Sequence, residues 1–118
     1  MSFDDLNLAV FGIWYIVFLF STVAHEAAHG LAAQLGGDPT AYEGGQVTLD
    51  PIGHIKRSPF GMVLIPILTF FQVGWMMGWA SVPFDPSWGK RHPRRQALMS
   101  LAGPAANFAL ALLGFIIM

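Results

Sequence analysis

The chain has 118 residues, of which 54% are hydrophobic and only 11% charged. An average soluble domain carries about 25% charged residues, so the composition argues against a water-solvated domain and for lipid as the solvent. A net charge of −1 offers nucleic acid no basic footprint, and the lack of cysteine excludes disulfides and thiolate metal sites, leaving His and carboxylates to hold any metal.

The start, Met1-Ser2-Phe3-Asp4-Asp5, is acidic where a signal peptide is basic, so the apolar run behind it reads as a retained helix over about 6–35. Leu8 to Ala24 carry no charge, and about 17 residues at 1.5 Å each cover most of a 30 Å hydrocarbon core. Gly36-Gly37 followed by Asp38-Pro39 is a strong stop. The next stretch is polar. Gln46-Val47-Thr48-Leu49, bracketed by Gly44-Gly45 and Pro51-Ile52-Gly53, predicts a short β-strand or hairpin near 43–50.

Residues 60–80 are again uncharged and long enough to span, but Pro66, Gly74 and Gly78 interrupt them, and Ser81-Val82-Pro83-Phe84-Asp85-Pro86 leaves as extended chain. A re-entrant helix fits as well as a third span, provided protein or a watery cavity covers its irregular backbone. The last helix, about 96–118, follows Lys90-Arg91-His92-Pro93-Arg94-Arg95 and ends in Phe115-Ile116-Ile117-Met118 with no polar flank. The expectation is an all-α membrane protein with two spanning helices and a re-entrant or third one. It forms a single membrane-embedded core over 1–118 from which C-terminal helices are missing. Trp14, Trp75, Trp79 and Trp88 read as interface anchors or packing.

His25-Glu26-Ala27-Ala28-His29 is an H-E-x-x-H pattern on the first helix. Residues at i and i+4 share a face, so both imidazoles can reach one ion, and Glu26 lies beside the metal where it can take a proton from a water that the metal acidifies. A pair of satisfied buried polar residues is the plainer alternative. Three ionisable residues within five positions of a membrane helix are costly without a partner, and a metal ion supplies one.

Three elements, in this order, resemble the site-2 proteases, the intramembrane zinc metalloproteases. They are His25-Glu26-Ala27-Ala28-His29-Gly30 closing the first helix, Leu35-Gly36-Gly37-Asp38-Pro39-Thr40-Ala41 after it, and the later Ala97 to Phe108, whose Gly103-Pro104-Ala105-Ala106-Asn107 opens a spanning helix. Thr48-Leu49-Asp50-Pro51-Ile52-Gly53-His54-Ile55 is similar to the compact branch without a PDZ domain. The resemblance implies a Zn2+ cofactor held by His25 and His29, Glu26 as general base, and Asn107 near the substrate or oxyanion. It also implies a third zinc ligand, an Asp in an Asp-Gly motif of a further helix. Asp50 and Asp85 are each followed by proline, so that motif is not in this chain. His54 is the leading replacement or site-lining residue, followed by His92, Asp50 and Glu43.

Topology adds a test. If the end of the first helix and the Gly-Pro-x-x-Asn element line one site, the two helices run antiparallel and residues 60–80 dip in and return. All six Lys and Arg then fall on one side, as the positive-inside rule asks of the cytoplasmic face. The reading is hydrolysis of peptide bonds in membrane-protein or peptide substrates by an integral protein of a prokaryotic cell membrane, its active site facing the cytoplasm. Its rivals are a catalytically inactive membrane protein or fragment with an incomplete zinc site, and, third, a metal transporter. Nucleic acid is not an expected partner.

Overall fold

The computed structural model describes residues 3–118, with side chains from residue 8 onward. Helix α1 is Phe3–Leu35. It stops as the glycine pair predicts. Gly37 adopts φ 108°, its N–H donates to the Gln34 carbonyl at 3.1 Å, and the Asp38 N–H reaches the Ala33 carbonyl at 2.7 Å. That pair of bonds is a Schellman cap, which a left-handed glycine permits.

Two short helices follow, α2 (Thr40–Glu43) and α3 (Pro51–Arg57). No strand forms among the described residues, and the hairpin expected near 43–50 is not there. The Gly45 N–H donates to the Tyr42 carbonyl and the Gln46 N–H to the Ala41 carbonyl, so the backbone donors fold back onto α2. Val47 packs against Gly30 on α1, where an added Cβ would lie 3.0 Å from its side chain. Pro51-Ile52-Gly53, expected as a turn, instead starts α3: the Asp50 carboxylate accepts from the Ile52 N–H at 3.0 Å, and Pro51 occupies the first helical turn.

Residues 60–80 do not form one span. Helix α4 covers Phe60–Val73, and its first five residues, Phe60–Leu64, are wound as a π-helix. The cause lies at Pro66, which has no N–H to give to the turn before it. The two carbonyls left free find other donors. The Met62 carbonyl accepts from the Tyr15 hydroxyl of α1 at 2.8 Å, and the Gly61 carbonyl accepts from the Trp79 N–H at 3.0 Å. Gly74, at φ 82°, then reverses the chain. Residues 76–85 return as an extended strap pinned to the turn they left. Gly61 and Gly78 allow this approach, since a Cβ on either would overlap the other strand of chain.

Helix α5 (Pro86–Arg91) leads into α6 (Pro93–Ile117). Helix α6 begins ten residues before Gly103, so the Gly-Pro-x-x-Asn element lies inside the helix rather than at its start. Trp88 is no interface anchor. It is 3% exposed, packs with Ala33 and Met99, and donates from its indole to the Gly36 carbonyl at 2.9 Å. Arg95 donates to the same carbonyl at 3.0 Å, so the start of α6 sits beside the end of α1.

Two segments, Leu8–Leu35 and Pro93–Ile117, are long and apolar enough to cross a membrane. Only 6% of either apolar window is buried, unlike the core helix of a soluble protein. Large side chains such as Phe20, Leu101, Phe108 and Phe115 are more than half exposed. Apolar surface on that scale calls for lipid. The chain is an all-α membrane protein.

Candidate metal centre

Contacts between α1 and α6 run in opposite directions along the two helices. His29 meets Met99, His25 meets Gly103 and Asn107, and Ser21 meets Asn107. The pair is therefore antiparallel, and residues from both H-E-x-x-H and Gly-Pro-x-x-Asn lie at one level.

Each imidazole is oriented from behind. The His29 Nδ1–H donates to the Met99 carbonyl at 2.6 Å, and the His25 Nδ1–H donates to the Asn107 side-chain oxygen. Asn107 is held in turn. Its amide nitrogen donates to the Ser21 carbonyl at 2.9 Å and to the Ser21 hydroxyl at 2.8 Å. With Nδ1 protonated, Nε2 of both rings carries the free lone pair. The ring centroids are 4.7 Å apart and nearly perpendicular. Both Nε2 atoms face the same spot on α6, the bare Cα of Gly103, where an added Cβ would lie 2.6 Å from Nε2 of His25 and closer still to that of His29.

Glu26 completes the cluster. It is 8% exposed, with a carboxylate oxygen 4.0 Å from Nε2 of His25. Ligand atoms of His25, Glu26 and His29 all lie within 4.8 Å of one another. Two imidazoles that turn Nε2 toward one spot beside a buried carboxylate form a donor set that suits a divalent cation. The bonds to Asn107 and Met99 are those that metal-ligating histidines characteristically make through their other nitrogen.

The other sequence candidates stand apart, and among the described residues none joins this group. His54 is fully buried, with Nε2 donating to the Thr48 carbonyl at 3.1 Å and, among the described residues, no partner for Nδ1. Asp50 caps α3. His92 sits between α5 and α6 with its ring against Trp88. Glu43 ends α2. Asn107, expected near a substrate oxyanion, has its amide oxygen on His25 and its amide hydrogens on Ser21.

The strap crosses in front of the cluster and leaves an opening on each side. One cavity, about 240 Å³, lies among Ser21, His25, Glu26, Trp79, Ala80 and Asn107. The other, about 220 Å³, lies among Glu26, His29, Ala80, Val82, Phe84 and Ser100. Glu26 and Ala80 line both. A larger groove of about 490 Å³ between α1, residues 47–49 and α6 holds no ionisable group.

No family profile and no solved structure matches the chain. Two bacterial proteins do. The Bacillus subtilis (strain 168) protein named "Putative zinc metalloprotease YwhC" is 36% identical over 104 residues, covering 87% of this chain and 43% of that protein. The Mycolicibacterium smegmatis (strain ATCC 700084 / mc(2)155) protein named "Putative zinc metalloprotease Rip2" is 30% identical over 109 residues, 90% of this chain and 40% of that protein. The chain thus spans about two fifths of the length of each of these relatives.

The sequence alone points to His25, Glu26 and His29 together with Asn107. It gave no sign of Ser21, of the Met99 carbonyl or of Gly103 as the wall facing both rings. Gly103 had a signal in its place within Gly-Pro-x-x-Asn. Ser21 had none, since it meets Asn107 only through the packing of α1 on α6.

Proposed function

We propose that this chain is the catalytic core of an intramembrane zinc metallopeptidase that hydrolyses peptide bonds of membrane-protein substrates. One observation carries the reading: two imidazoles, each held through Nδ1, turn Nε2 toward one point beside a buried carboxylate. The printed names of the two relatives support it. His25 and His29 would hold Zn2+, with Asn107 and the Met99 carbonyl fixing their tautomers. A bound zinc polarises a carbonyl and acidifies water. Glu26 is the base: it accepts the proton of the attacking water and returns it to the leaving amine. The basic run from Lys90 to Arg95 beside the end of α1 supports a site on the cytoplasmic side.

The first test is metal content. Zinc held by the protein purified in detergent is expected to depend on the two imidazoles, so His25→Ala lowers zinc affinity together with cleavage of labelled casein. Zinc binding that His25→Ala leaves unchanged would overturn the reading.

A peptide bond inside a substrate helix has its carbonyl tied up in the helix, so the substrate must unwind before cleavage. The strap is suited to receive the unwound stretch. Among the described residues, the backbone N–H groups of Ala80, Val82 and Phe84 donate to no protein acceptor. An extended peptide can pair with such an edge. Val82→Pro, which removes one of these donors, is expected to slow casein cleavage at unchanged zinc content. An unchanged rate would count against strand pairing here.

A further inference from the structure

Asp38 follows the cap of α1 and is 2% exposed, yet no cation pairs with it among the described residues. Its carboxylate is satisfied by three donors. One oxygen accepts from the Thr40 N–H at 3.1 Å and the Thr40 hydroxyl at 2.5 Å, while the other accepts from the Asp85 N–H at 2.7 Å. The local turn at Thr40 needs a single oxygen. The second oxygen is spent on a residue 47 positions away, at the far end of the strap.

The strap has four fixed points. The Met77 N–H is held by the Thr69 hydroxyl at 3.0 Å, the Trp79 N–H by the Gly61 carbonyl, the Ser81 carbonyl by Arg57 Nε at 3.0 Å, and the Asp85 N–H by Asp38. The first two belong to α4 and the third to α3. The fourth belongs to the end of α1, the helix that carries His25, Glu26 and His29. We propose that Asp38 is a positioning residue that fixes residues 80–84 relative to Glu26, and with them the line along which an extended substrate backbone lies. The proposal rests on the reading of Glu26 as the base, but the latch itself is measured without any activity.

Burial pushes the Asp38 carboxyl up, but the hydrogen bonds from the Thr40 hydroxyl, the Asp85 N–H and the Thr40 N–H outweigh it and hold the carboxyl below its ordinary range. Because the folded value is the lower one, the latch contributes fully above the unfolded value of about 3.9 and is lost as pH falls through the folded value. At neutral pH it is charged and closed.

Asp38→Ala tests the latch, because it removes both oxygens. Asp38→Asn would not, since its oxygen can turn to the Asp85 N–H while its NH2 donates to the Thr40 hydroxyl, which also accepts. The chain has no cysteine, so a nitroxide can be placed cleanly at Ser81→Cys on the exposed strap and, as a control, at Leu101→Cys on the exposed face of α6. In detergent, Asp38→Ala is expected to abolish the immobilised spectral component at 81, leave the spectrum at 101 unchanged, and retain zinc. An unchanged spectrum at 81 overturns the proposal. Loosening at both positions also overturns it, because Asp38 would then be a general prop of the fold. If the latch behaves as stated but zinc binding does not depend on His25, the positioning contact stands and the metallopeptidase reading falls.

Discussion

Gly103→Ala is expected to cost the protein its metal while leaving the helices standing. Two effects of the added methyl oppose each other. Alanine is the better helix former by about 1 kcal/mol, and Gly103 has no left-handed backbone to protect, so α6 itself gains. Against that, the new Cβ would lie 2.6 Å from Nε2 of His25 and nearer to that of His29, where non-bonded atoms prefer roughly 3.5–4.0 Å. The rings cannot swing clear without breaking their Nδ1 bonds to Asn107 and Met99. Helix α6 cannot move away without breaking the same bonds. Either relief undoes the convergence of the two lone pairs. Loss of a single orienting partner typically weakens metal binding about 10–100-fold, and here both rings are disturbed, so at least that loss is expected. Competition with a zinc chelator measures it, and circular dichroism checks the helices. Gly12→Ala is the matched control: it makes the same change on α1 where an added Cβ meets nothing within 4 Å. Unaltered affinity in Gly103→Ala would show that the two Nε2 atoms do not share an ion across that glycine.

What the sequence made legible follows the range of the interactions involved. H-E-x-x-H could be placed on one helical face because i and i+4 are neighbours by geometry alone. The end of α1 could be placed because Gly37 must take up the left-handed turn itself. Asp50-Pro51 and Asp85-Pro86 also carried a local signal. Each is a capping aspartate followed by proline in the first helical turn, and each starts a helix rather than a loop. Residues 46–49 were unreadable for a different reason. Val47 and Thr48 favour extended backbone, but a strand exists only if another strand pairs with it, and here the neighbouring donors turn back onto α2. Asn107 and Asp38 lie at the far limit. Their partners are 82, 86 and 47 positions away, and nothing in the local pattern says whether an amide in a helix faces substrate or braces a histidine. The dip and return of 60–80 falls between these cases. Pro66, Gly74 and Gly78 signalled it, while the tie from Gly61 to Trp79 emerged only from the packing.

Glu26→Gln is expected to keep zinc and lose cleavage, and that pair of results separates the two roles open to this carboxylate. The substitution preserves size and hydrogen-bonding reach inside a site where Glu26 is 8% exposed, so packing between α1 and the strap should survive. What it removes is the charge and the capacity to take a proton. If Glu26 is the base, zinc content stays with His25 and His29, and the rate falls by about 10²–10⁴-fold, the usual contribution of a positioned acid–base group. The geometry also admits a different use. A carboxylate oxygen 4.0 Å from Nε2 of His25, in a cluster whose ligand atoms lie within 4.8 Å of one another, is near enough to become a ligand after a modest rotation. In that case the chain is a metal-binding protein without a base, and Glu26→Gln would lower zinc affinity along with anything else measured. Retained zinc with lost casein cleavage assigns Glu26 to proton transfer. Lost zinc assigns it to the metal, and the peptidase reading of this chain then fails with it. The position of Glu26 at the junction of the two cavities that flank the strap favours the first outcome, since a base has to face the space through which water and peptide arrive.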